Sequence, residues 1–203
     1  MTNRREILQG GIALTSLPLV AHATWATTES DAYASHALYR ILFDHRFSES
    51  RAFGEEAQRL GGIVRGFAGD ITDLWYHELD ERWRAGPAAI AGLTRHGPLF
   101  CLERLAWNAG MRVVYRATHV ADRDGSTAHF LAASQPMLSI AVGLHTQESD
   151  WARCAARAVI RCPIDATSKL TTLALPATAH KPEDAGDPLI SWVITPRARR
   201  QGA

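Results

Sequence analysis

From residue 37 onward, short apolar runs alternate with segments whose apolar positions recur every three or four residues. The run at 37–43 is almost continuously apolar, as suits a strand covered on both faces. Residues 51–60 place Phe53, Ala57 and Leu60 on one helical face, with Ser48 or Ser50 positioned to cap that helix and Gly61-Gly62 to stop it. A second strand is predicted over 63–67, ending at Gly69-Asp70. The helix after it carries Leu74, Trp75, Leu79 and Trp83 on its apolar side and runs to Gly86. The pattern then repeats: a small-residue strand at 88–93, a polar turn at 94–98 with Pro98 suited to a helix start, a helix at 99–108 closed by Gly110, and a strand at 111–118. Trp75, Trp83 and Trp107 fall at spacings expected of core packing.

Four strands separated by three helices predict an α/β fold with a doubly wound, mostly parallel sheet covered on both faces. The pattern resembles flavodoxin-like sheets, and that resemblance implies their strand order. Beyond residue 118 the alternation fades. Asp122-Arg123-Asp124-Gly125-Ser126 is a turn signal that adds an antiparallel hairpin between 111–121 and 127–134. Ser149 is placed to cap a helix over 150–159. Pro163, Pro176, Pro182 and Pro188 then mark a loop-rich C-terminal part before a last strand at 189–194.

The opening of the chain is of another kind. Arg4-Arg5-Glu6-Ile7-Leu8 precedes an uncharged, largely apolar run at 10–20, and Ala21-His22-Ala23 offers small residues at the positions a signal peptidase reads. This segment resembles a twin-arginine (Tat) signal peptide, with Arg4 and Arg5 as its arginine pair. It departs from the usual pattern at Asn3, Ile7 and Gln9. The apolar run falls short of the roughly 20 residues a permanent membrane helix needs, so no stable membrane anchor is expected and cleavage is placed after Ala23. The resemblance implies the Tat translocase as a partner, a periplasmic destination, and export of an already folded protein. The organisation expected is a signal peptide at 1–23, a linker at 24–36, one α/β domain at 37–196 and a basic tail at 197–203.

Loss of Arg4, Arg5 and Glu6 leaves equal numbers of acidic and basic residues. A balanced chain lacks the clustered positive charge that nucleic acid or an acidic membrane surface requires, and the only basic cluster, Arg197 with Arg199 and Arg200, belongs to the tail. Hydrophobic residues make up 46% of the 203, enough for one full core. Cys101, Cys154 and Cys162 are too few and too irregular for a disulfide scaffold and read as buried thiols.

In an open parallel sheet, ligands bind beyond the carboxyl ends of the strands where the strand order reverses. Flanking strands at 37–43 and 88–93 would bring the loops 44–51 and 94–98 face to face, each leading into a helix N-terminus that favours an anion. Ser48, Ser50, Arg51, Thr94, Arg95 and His96 are the candidate ligand-binding residues. The glycine fingerprint of dinucleotide binding and the phosphate loop are missing, which leaves Asp70 weak as a ribose-binding acid. The serine-hydrolase elbow and the zinc-protease helix motif are missing too. A three-residue turn centred on Asp124 would set His119 opposite His129. Two histidines are half a metal site, so they read as surface residues and no metal is assigned. Cys101 lies past the first turn of its helix and reads as a core thiol. The expectation is an exported protein that binds a small anionic ligand, with no reaction or cofactor specified. The rival expectation is a non-catalytic accessory subunit or chaperone co-exported with a redox enzyme.

Overall fold

The computed structural model describes residues 38–121, 126–141, 150–162, 169–175 and 187–197. The expected signal and linker, the hairpin turn around Asp124, the Ser149 cap, Pro163, Pro176, Pro182 and the tail after Arg197 lie outside the described residues. The elements in chain order begin with β1 (Arg40–Asp44), α1 (Ser48–Arg59) and β2 (Val64–Phe67). A short α2 (Thr72–Leu74) continues through a π-helical turn (Trp75–Leu79) into α3 (Asp80–Ala85). Next come β3 (Ile90–Thr94), α4 (His96–Asn108), β4 (Met111–Ala121), β5 (Thr127–Ala133) and α5 (Gln135–Ala141). The series closes with α6 (Trp151–Ile160), β6 (Thr171–Leu175) and β7 (Leu189–Pro196).

The expected doubly wound, mostly parallel sheet is not what forms. The seven strands make one mixed sheet in the order β2-β1-β3-β7-β4-β5-β6. Only the β2-β1-β3 third is parallel; β3 with β7, β7 with β4, β4 with β5 and β5 with β6 are all antiparallel. The cause is β7. It returns from the far end of the chain and inserts between β3 and β4, antiparallel to both, so β3 and β4 still point the same way but do not pair. Local alternation records strand direction across the α4 crossover and carries no trace of a strand that arrives about 80 residues later.

Close approach between β3 and β7 depends on Gly92, which pairs with Trp192. A Cβ at Gly92 would stand 2.5 Å from the Leu42 carbonyl oxygen and 2.8 Å from Trp192 Cζ2. The indole therefore occupies the space a side chain would take, and its Nε1–H donates to Thr94 Oγ1 at 3.0 Å.

Each face of the sheet holds its own core. On one, Phe53 and Ala57 of α1, Met137 of α5, and Trp151, Ala155 and Val159 of α6 pack on Ile41, Leu93, Tyr115, Leu131 and Val193. On the other, Leu74, Leu79 and Trp83 join Leu99, Leu102 and Ala106 of α4 over Leu42, Ile90, Met111, Trp192 and Ile194. Leu74 and Leu79 are five residues apart, a spacing that an α-helix would turn away from a common face. The wider π-helical turn restores it. Trp107, expected in this core, instead lies on the outside of α4 at 63% exposure.

Candidate functional site

The carboxyl ends of β1 and β3 are adjacent, and α1 and α4 start beside one another there. Of the six residues expected at this rim, two are structural. Ser50 falls within the first turn of α1 and is fully buried. Its hydroxyl donates to the Leu93 carbonyl at 2.6 Å and accepts the Asp44 N–H at 3.2 Å, so it ties β1 to β3. Thr94 is equally buried; its hydroxyl accepts from Trp192 and donates to the Arg95 carbonyl at 3.1 Å.

The other four reach the rim. Ser48 donates to Glu49 at 2.9 Å, and Arg51 donates to the His45 carbonyl at 2.8 Å. The Arg95 guanidinium lies 4.4 Å from the centre of the Phe47 ring and 3.4 Å from Asp187 Oδ2. The His96 ring stacks on Phe100 and remains exposed, while its backbone N–H points at Asp187 Oδ1, 3.5 Å away. The N-terminus of α4 thus faces a carboxylate from the chain itself, held at long distances and about half exposed. The covered Nε–H of Arg95 has no acceptor among the described residues. Below the rim, Arg46 makes a two-pronged contact with the fully buried Asp44 carboxylate, through Nε at 2.9 Å and a terminal nitrogen at 2.7 Å.

Sequence reasoning missed Asp187 because it reaches the rim from about 90 residues away, through the insertion of β7.

A second polar group lies inside the core. The β4–β5 register sets His119 opposite His129, and both are buried, so the surface reading of these histidines is wrong. Their Nδ1 atoms are 2.8 Å apart, which requires one imidazole to donate and the other to accept. His119 Nε2 meets Ser191 Oγ at 2.8 Å, Ser191 Oγ meets the Tyr115 hydroxyl at 3.3 Å, and the Trp151 ring stacks on His119. Burial first, and the neighbouring His129 second, hold His119 well below the usual histidine range; burial also pushes the Tyr115 hydroxyl upward. The order Ser191, His119, His129 has the spacing of a nucleophile, a base and an orienting group. Yet Ser191 has no exposed surface and is hydrogen-bonded on both sides, which makes the network a polar strut joining β7, β4 and β5. Among the described residues no three His, Cys, Asp or Glu side chains converge as a metal cluster would require.

The remaining candidates resolve simply. Asp70 accepts from the N–H and hydroxyl of Thr72, a turn at the start of α2. Cys101 is exposed on α4, contrary to the expected core position, and Cys154 is half-buried. Cys162 is buried, its thiol pushed up to about 12 by that burial, which makes it inert as a nucleophile. Among the described residues no helix is long and apolar enough to cross a membrane. Comparisons with protein-family models, curated proteins and solved structures find no match to this chain.

Proposed function

We propose that this chain is an exported periplasmic protein that binds a small anionic ligand at the rim formed by the ends of β1 and β3. One observation carries the reading. The N-terminus of α4 and Arg95 already face a carboxylate, Asp187, at 3.4 to 3.5 Å, too loosely to use up the donors there. A free carboxylate or phosphate would displace it and take the His96 N–H, the terminal nitrogens of Arg95, and the exposed Ser48 and Arg51. Binding, with no bond-making step, is the activity assigned. The buried hydroxyls of Ser50, Thr94 and Ser191 are committed to neighbours and closed to substrate. Export rests on the Arg4-Arg5 segment.

Calorimetric titration of the mature chain with inorganic phosphate and with succinate tests the rim. Saturable binding is expected, lost in Arg95→Ala/His96→Ala and strengthened in Asp187→Asn, which removes the internal competitor. A double variant that folds and binds as well as the parent refutes the site. Arg4→Lys/Arg5→Lys is expected to block export, and unimpaired export removes the Tat assignment. Isolation from the periplasm in a stable complex with a larger cofactor-bearing protein would support the accessory-subunit reading instead.

A further inference from the structure

A groove of about 390 Å³ opens at the other end of the sheet from the rim, between the C-terminal half of α4 and the first residues of β4, with Arg197 at the end of β7 closing one side. That volume falls in the range of small-molecule sites, roughly 300–1,000 Å³. The walls combine two chemistries. Phe100 and Trp107 present ring surface, 51% and 63% exposed, although a large aromatic on the outside of a helix gains most by being covered. Arg104 and Arg197 border the same space, and neither is ion-paired among the described residues. The one acid in the lining among the described residues, Glu103, is bound to Arg116. Arg104 stands 5.6 Å from the centre of the Trp107 ring. Two unpaired guanidinium groups at one groove repel one another until an anion enters.

We infer that this groove is a second binding site, whose ligand is a planar aromatic carboxylate: its ring lies against Trp107 and Phe100, and its carboxylate takes the charge of Arg104 and Arg197. The charge selects an acid, and the ring faces select an aromatic over an aliphatic one. The rim's His96 stacks on Phe100, but Arg95 and Trp107 each belong to one site alone, so either site can fail without the other.

The test is calorimetric titration of the purified chain with 2-naphthoate, read alongside the Trp107 indole N–H signal in nitrogen-edited NMR. Saturable one-to-one binding is expected, with a shift of the Trp107 indole N–H resonance. Trp107→Ala and Arg104→Gln should each weaken binding tenfold or more, while Arg95→Ala leaves it unchanged. Trp107 is exposed, so its loss does not threaten folding, and circular dichroism checks both variants. Benzoate should bind at least tenfold more tightly than cyclohexanecarboxylate. The inference is overturned by a lack of saturation up to about 10 mM ligand, by equal affinity in parent and both groove variants, or by equal affinity for the aromatic and saturated acids. Loss of naphthoate binding in Arg95→Ala also overturns it, by placing the ligand at the rim.

Discussion

Replacing Glu56 with glutamine isolates the electrostatic link between α1 and α6. Glu56 is 2% exposed, and its carboxylate receives Arg59 Nε and a second Arg59 nitrogen at 2.7 Å each, and Arg157 Nε from α6, also at 2.7 Å. The Arg59 hydrogen bonds, opposed by burial and aided by Arg157, hold the carboxyl at about 2 against an ordinary 4.5. A shift of that size is worth about 3 kcal/mol of stability at neutral pH. The side chains of Arg59 and Arg157 are 64% and 35% exposed, so water screens the interaction and about 1.5–2.5 kcal/mol is the expected loss in Glu56→Gln. The folded-state value is depressed. The stabilisation is therefore complete above pH 4.5 and disappears as pH falls from 4.5 to about 2, where the folded carboxyl is protonated as well. Urea unfolding of parent and variant at pH 7 and pH 2.5 measures both quantities. A gap at pH 7 that closes in acid supports the reasoning. An equal gap at both pH values assigns the loss to packing, and a gap under about 0.5 kcal/mol at pH 7 refutes the link altogether.

Three further outcomes follow from the same geometry. Gly92→Ala forces a methyl against the Leu42 carbonyl and the Trp192 ring and is expected to cost about 3 kcal/mol. Calorimetry should show a Tm lower by roughly 6–12 °C, and an unchanged Tm would refute the close approach. Because His119 stays neutral when folded, the unfolded chain alone takes up its proton as pH falls below 6.5, and stability drops by up to about 1.4 kcal/mol per pH unit. His119→Gln should flatten that slope between pH 6.5 and 5 while leaving the Glu56 window below 4.5 intact; an unaltered slope would mean that His119 is charged when folded. Ser191→Ala leaves the Tyr115 hydroxyl and His119 Nε2 without their shared partner and is expected to cost about 1–3 kcal/mol in urea unfolding, with a change under about 0.3 kcal/mol counting against the strut.

The sequence by itself determined the elements that rest on local periodicity and turn chemistry. The apolar run ending at Phe43, the Phe53 and Ala57 face, the Gly110 stop and the Asp124 turn signal each act within a few residues, so β1, α1, α4 and the β4–β5 pair were legible from spacing alone, down to the opposition of His119 and His129. Half of the rim was legible too, since residues 48–51 and 94–96 each follow a strand that points at it. Only the tertiary structure decided pairing and burial. β7 takes the place beside β3 that the alternation offered to β4, because hydrogen-bonding edges join whichever strands fit and chain separation leaves no local mark. The same insertion carries Asp187 to the head of α4, Ser191 to His119 and Trp192 over Gly92. Ser50, expected as a helix cap or ligand donor, and Thr94, expected as a ligand donor, become buried ties between strands, because a hydroxyl's role depends on which polar groups the fold leaves within reach.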